Sequence, residues 1–118
     1  MPSFIHIADA REKRLIEKNG LKAGKRGVFC TPVAKDFSVT HQWARELRRR
    51  GVRSWVCVQF RVSDDQMVSV GIYNGQKILM TAAQAVAAVA EHTAPLGLEV
   101  IIKRKIRPQE IEELRGRF

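Results

Sequence analysis

The sequence predicts an α+β domain in which strands and helices are mixed and not doubly wound, and three observations carry that expectation. Strand-like and helix-like segments follow one another in the order β-α-β-α-β-β-α-β-α. Two of the strands, "SWVCVQFRV" and "MVSVGIY", are separated only by the polar "SDDQ", the spacing of a hairpin and not of a parallel crossover. At 118 residues the chain fits a single domain, 1–118, with one core.

"FIHIA" (Phe4–Ala8) is apolar apart from His6 and short, which predicts a strand. Asp9 stands where an N-cap belongs, and Ala10–Lys18 has helical character with Leu15 and Ile16 expected inward. Asn19-Gly20 stops that helix. The loop "GLKAGKRG" follows, then the strand "VFCTPV" and the loop "AKDFSVT".

Ser38–Arg50 has Val39, Trp43 and Leu47 four apart, the spacing of one helix face, with Gly51 as its stop. Ser54–Val62 alternates and predicts a strand, "SDDQ" a turn, Met67–Tyr73 a strand and "NGQ" a turn. Thr81 caps a helix reaching about Glu91. "TAPLG" is a loop, Leu98–Ile106 ("LEVIIKRKI") a long strand, and Pro108 opens a last short helix, "PQEIEELRGRF".

Composition narrows the function classes. No apolar run has the length of a membrane span, and the alanine-rich Thr81–Ala90 is too short and too weakly hydrophobic to serve as one. The N-terminus lacks the basic-then-apolar pattern of a signal peptide, and two cysteines, Cys30 and Cys57, make no disulfide framework. A cytoplasmic protein with reduced thiols is the expectation. His6, His41 and His92 are scattered, so no short metal-ligand motif exists and no metal is expected. The net charge of +9 is uneven: residues 1–60 hold 13 Lys/Arg against 5 Asp/Glu, residues 61–118 hold 8 against 7. A basic half points to an anionic partner, whether nucleic acid, the phosphates of a dinucleotide or an anionic membrane, the plain alternative being a solvated basic face with no partner.

Several residues stand out chemically. The loop 20–27 lacks the Walker spacing, yet its backbone amides with Lys22, Lys25 and Arg26 suit an anion. "RELRRRG" crowds Arg45, Arg48, Arg49 and Arg50 at a helix end, a candidate nucleic-acid face, while Trp43 reads first as a core residue. Glu99 begins the apolar run of "LEVIIKRKI". There a carboxylate serves either as a general base or ribose anchor, or as a strand-end partner for a lysine such as Lys103.

Together "IHIADAREKRLIEKNGLKAG", "RGVFCTP" and "LEVIIKRKIRPQEI" resemble, in order and over nearly the whole chain, the ADP-ribosyltransferase superfamily. That family has a histidine on its first strand, a helix leading to Gly-Leu, an aromatic on its second strand, and a glutamate opening a late strand. The nearest likeness is to the DarT-type toxins, which act on single-stranded DNA. The RNA 2′-phosphotransferases share the histidine-to-Gly-Leu opening. The resemblance implies a compact split β-sheet with flanking helices and NAD as co-substrate. It makes Glu99 and His6 the catalytic pair, with His6, Ala8, Gly20, Leu21, Lys22, Arg26 and Phe29 around NAD. In that arrangement His6 holds a ribose, Phe29 stacks on nicotinamide, and Glu99 polarises a ribose hydroxyl. The sequence departs from the pattern at Ala8, where Thr or Ser is common, and its length leaves little room for a substrate loop beyond "HTAPLG" (92–97). The expected activity is transfer of ADP-ribose to nucleic acid; the alternatives are 2′-phosphotransfer and non-enzymatic nucleic-acid binding.

Overall fold

A computed structural model describes residues 1–33, 51, 54–72, 76–91 and 98–116. Seven strands and two α-helices account for most of it. The strands are β1 (Ser3–Asp9), β2 (Val28–Pro32), β3 (Trp55–Arg61), β4 (Met67–Ile72), β5 (Lys77–Thr81), β6 (Leu98–Ile102) and β7 (Ile111–Gly116). The helices are α1 (Lys13–Asn19) and α2 (Ala82–Glu91). All strands join one antiparallel sheet in the order β5-β4-β6-β2-β1-β3-β7, so the chain is α+β, as its sequence predicts, but the expected hairpin of β3 and β4 does not form: β3 pairs with β1 and β7, and β4 with β5 and β6. No helix among the described residues is long and apolar enough to cross a membrane.

One face of the sheet carries the core. Paired residues in an antiparallel ladder share a face, so Phe4 and Ala8 on β1, Val56, Val58 and Phe60 on β3, and Val100 and Ile102 on β6 all point the same way. Each is buried in one cluster with Ile16 of α1 and Ala82 and Ala85 of α2. Phe4 and Phe60, both fully buried, stack with ring centroids 6.1 Å apart. Small residues three apart let α2 lie close to the sheet. Its start is fixed by Thr81, whose hydroxyl accepts from Gln84 N at 3.2 Å while Gln84 Oε1 accepts from Thr81 N at 2.9 Å.

Asp9 caps as expected, accepting from Arg11 N at 2.9 Å, but what it opens is a 3-10 turn (Ala10–Glu12) that passes into α1. The turn winds about 120° per residue instead of 100°, which shifts the phase of the helix behind it. Ile16 therefore goes inward and Leu15, expected inward with it, is 61% exposed. Gly20 ends α1 at φ +78°, and its N–H donates to Ile16 O at 2.8 Å.

Three further expectations are corrected. The segment before Thr81 is a strand, β5, which the sequence reading left unassigned. The long strand to Ile106 stops at Ile102, and Ile106 instead makes a lone bridge with Leu21. Pro108 opens only a 3-10 turn (Pro108–Glu110), and "IEELRG" is β7, not a helix. Pairing with β3 decides that last case. Every residue of β3 from Trp55 to Val58 is buried, along with Phe60, and β7 closes what would be an open apolar edge. A Ser3–Glu112 hydrogen bond and an Arg61–Glu112 ion pair at 2.8 Å fasten it. The expected helix over 38–50, the end of a strand at Tyr73, most of the "NGQ" turn and the "TAPLG" loop lie outside the described residues.

Candidate active site

The site is built where β1 and β2 part. These strands pair at two rungs, Phe4 with Pro32 and Ile5 with Thr31, and go no further. The next residue on β1 is His6. Its Nδ1 lies 2.6 Å from the carbonyl oxygen of Phe29, in the gap the strands leave. A nitrogen facing a carbonyl oxygen must donate, so Nδ1 carries the proton and Nε2 keeps its lone pair. Burial pushes the imidazole below its ordinary pKa, against the smaller opposing pull of the Phe29 carbonyl and of Glu12, so the ring is neutral near pH 7. The part-buried His6 lines a cavity of about 290 Å³ together with Leu15, Ile16, Asn19, Leu21 and Lys22.

Glu99 is the most unusual residue in the sheet. It sits on β6 beside core residues, is 2% exposed, and its Oε2 has no hydrogen-bond partner among the described residues. Its Oε1 is 3.8 Å from Lys77 Nζ on β5, so the lysine that answers it is Lys77 and not Lys103. Burying a carboxylate costs free energy unless a cation and hydrogen bonds compensate. Among the described residues, one oxygen has a cation near it and the other has no hydrogen-bond partner.

The strand registers fix how these residues relate. Phe29 pairs with Ile101, and Ile101 lies two residues from Glu99, so Phe29 and Glu99 share a face. His6 alternates with Phe4 and Ala8 and belongs to the core face. The paired rungs thus put His6 and Glu99 on opposite faces, two strands apart, about 10 Å between backbones. No hydrogen bond or ion pair joins them among the described residues.

The remaining expected site residues divide. Gly20 and Leu21 flank the histidine cavity. Ala8 is a core residue, 5% exposed, so its methyl faces the cluster. Lys22, Lys25 and Arg26 are exposed on the loop before β2, which is pinched where Gly27 N donates to Gly24 O at 3.0 Å. Arg45, Arg48, Arg49 and Arg50 lie outside the described residues, as do Trp43 and "HTAPLG". Sequence reasoning missed Lys77, because its role depends on β5.

Protein-family models, curated proteins and solved structures were each compared with this chain, and none matches it.

Proposed function

We propose that the protein is an NAD-dependent ADP-ribosyltransferase of split-sheet type acting on a nucleic-acid acceptor. The observation that carries the reading is Glu99, a buried carboxylate whose Oε2 has no hydrogen-bond partner among the described residues. Such a group is costly to keep without a ligand that uses it. A sheet held at the β1–β2 seam by two rungs supports the finer fold reading.

Of the groups NAD would use, one face of the sheet offers a hydrogen-bond acceptor in Glu99 and an aromatic in Phe29, the neutral imidazole of His6 lies on the opposite face, and Lys22, Lys25 and Arg26 are exposed on the loop before β2. The co-substrate supplies a C1′–nicotinamide bond that breaks with its electron pair staying on nicotinamide, while an acceptor nucleophile bonds C1′ and gives up a proton. Glu99 accepts from a ribose hydroxyl through Oε2, and its charge favours the positive charge that develops at C1′. Phe29 offers a ring face to nicotinamide. His6, its ring held by the Phe29 carbonyl, lines the cavity on the core face and takes no part in the ribose contact at Glu99. The loop cations and amides suit the pyrophosphate. The acceptor is assigned from charge: the +8 balance of residues 1–60, 13 minus 5, contains the run Arg48–Arg50.

The test is nicotinamide release and mass addition with NAD and single-stranded DNA or RNA, for wild type and Glu99→Gln. The expected result is transfer by wild type and a loss of about a hundredfold or more in the variant. If wild type neither releases nicotinamide nor adds mass, the reading fails. Transfer to protein or to water alone would remove the nucleic-acid acceptor and keep the enzyme.

A further inference from the structure

The pairing of β5, β4 and β6 places three residues on one rung. Gly71 of β4 pairs on one side with Lys77 and on the other with Glu99. Residues on one rung share a face, so Lys77 and Glu99 point the same way with a strand between them. That strand carries no side chain at this level. A Cβ added at Gly71 would stand 2.9 Å from Lys77 Cγ and 2.5 Å from Gln76 O, which is where the lysine stem passes. The missing side chain is the corridor through which Nζ comes within 3.8 Å of Oε1. Lys77 is itself 29% exposed, so it brings a charge from the sheet edge to a carboxylate that solvent does not reach.

We infer that Lys77 is a positioning residue for Glu99. It holds Oε1 and so leaves Oε2, the oxygen without a partner, turned to the ligand. This assignment deepens the proposed transfer reaction and rests on it for its catalytic meaning, but the pairing itself does not. Other side chains on this face near Glu99 are Thr31, Ser69 and Ile101, which supply no charge, and Phe29. Ser69 is buried and neutral, so among the described residues the compensation for Glu99 falls to Lys77.

Two measurements separate the role of Lys77 from the reaction. The first is kinetic. In Lys77→Met, kcat for nicotinamide release falls about tenfold to a hundredfold with KM changed less than about twofold, and Lys77→Arg restores most of kcat. A purely structural lysine would not give that split or that rescue. The second is a thermal cycle. Lys77→Met strands a buried carboxylate and lowers the melting temperature by about 5 °C or more; adding Glu99→Gln recovers most of it. If Lys77→Met does not fold, the double variant should, because it removes the stranded charge. A double variant that fails where Glu99→Gln folds overturns the proposal. So does a Lys77→Met protein with wild-type kcat and melting temperature. Absence of any NAD cleavage by wild type ends the transferase reading alone, and the thermal cycle then decides whether Lys77 serves Glu99.

Discussion

At Gly20 the backbone takes φ +78° and passes so close to the chain after β6 that a Cβ would overlap the Ile106 carbonyl oxygen. Gly51 has a similar φ of +86° with no atom of the described residues within 4 Å of the same position. The two therefore separate conformational cost from steric cost. Gly51→Ala should cost about 1 kcal/mol, the penalty of a left-handed backbone alone. Gly20→Ala should cost about 3 kcal/mol or more, because it also breaks the Leu21–Ile106 bridge, whose two hydrogen bonds are 2.8 and 2.9 Å long. Denaturant unfolding of both variants checks this, and equal costs would show that the Ile106 strand moves aside freely.

His6 gives a pH signature at the same scale. Its folded pKa lies below the unfolded value of 6.5, so the unfolded chain takes up the proton first as pH falls. The favourable state is thus complete above about pH 6.5 and is lost as pH drops toward the folded value, with a slope of at most about 1.4 kcal/mol per pH unit. His6→Asn keeps a donor for the Phe29 carbonyl and removes the titration. Its melting temperature should fall less than that of wild type between pH 7 and 5.5; parallel curves would mean the imidazole titrates alike in both states. Glu110 acts lower down. Hydrogen bonds from Arg104, at 2.8 and 2.7 Å, lower its pKa to about 2, so its contribution is present above about 4.5 and fades below that.

Among the elements, those whose character is written locally were legible. The β-branched apolar runs of β3 and β4, the cap at Thr81 and the stop at Gly20 each depend on a few neighbouring residues, although both strands are buried on both faces over part of their length and do not alternate. β7 was not legible, because Pro108, Glu110, Glu112, Glu113 and Leu114 suit a helix and only the unpaired edge of β3 selects the extended form. β5 has three consecutive apolar residues and no period, which suits an edge strand whose Ile78 and Leu79 are 62% and 66% exposed. The same logic shaped the site. His6 and Glu99 stand out as polar residues in apolar runs and Phe29 is marked only by the family resemblance, but Lys77 could not be found without β5, and the opposite faces of His6 and Glu99 appear only once registers are known. A chain ending at Glu110 tests the element-level account. Without β7, the apolar edge of β3 is open, and the shortened protein should self-associate on size-exclusion chromatography. A monomer with wild-type melting temperature would show that β7 is dispensable.

Over the whole molecule, two features act together: a charge of +9 and a sheet whose halves share two rungs. If the basic half faces nucleic acid, affinity for a single strand should fall steeply between about 50 and 200 mM salt, with a log–log slope set by the number of phosphates contacted. Replacing Arg48, Arg49 and Arg50 with alanine should flatten that slope while nicotinamide release in the absence of nucleic acid is unchanged. Binding that ignores salt would separate the charge from the acceptor.

The rung that joins Lys77, Gly71 and Glu99 also sets a counting rule on the chain. Side chains on a strand change face with every residue, so the three meet only while the segment between Ile72 and Lys77 keeps its length. Deleting one residue there, with β5 still paired by its apolar side chains, moves the ammonium to the far side of the sheet and presents Ile78 to the carboxylate instead. Deleting two returns Lys77 to the carboxylate's face, but one strand repeat, about 7 Å, further along, with Leu79 on the Gly71 rung in its place. The face at this corner obeys parity, while the ion pair itself tolerates no change of length.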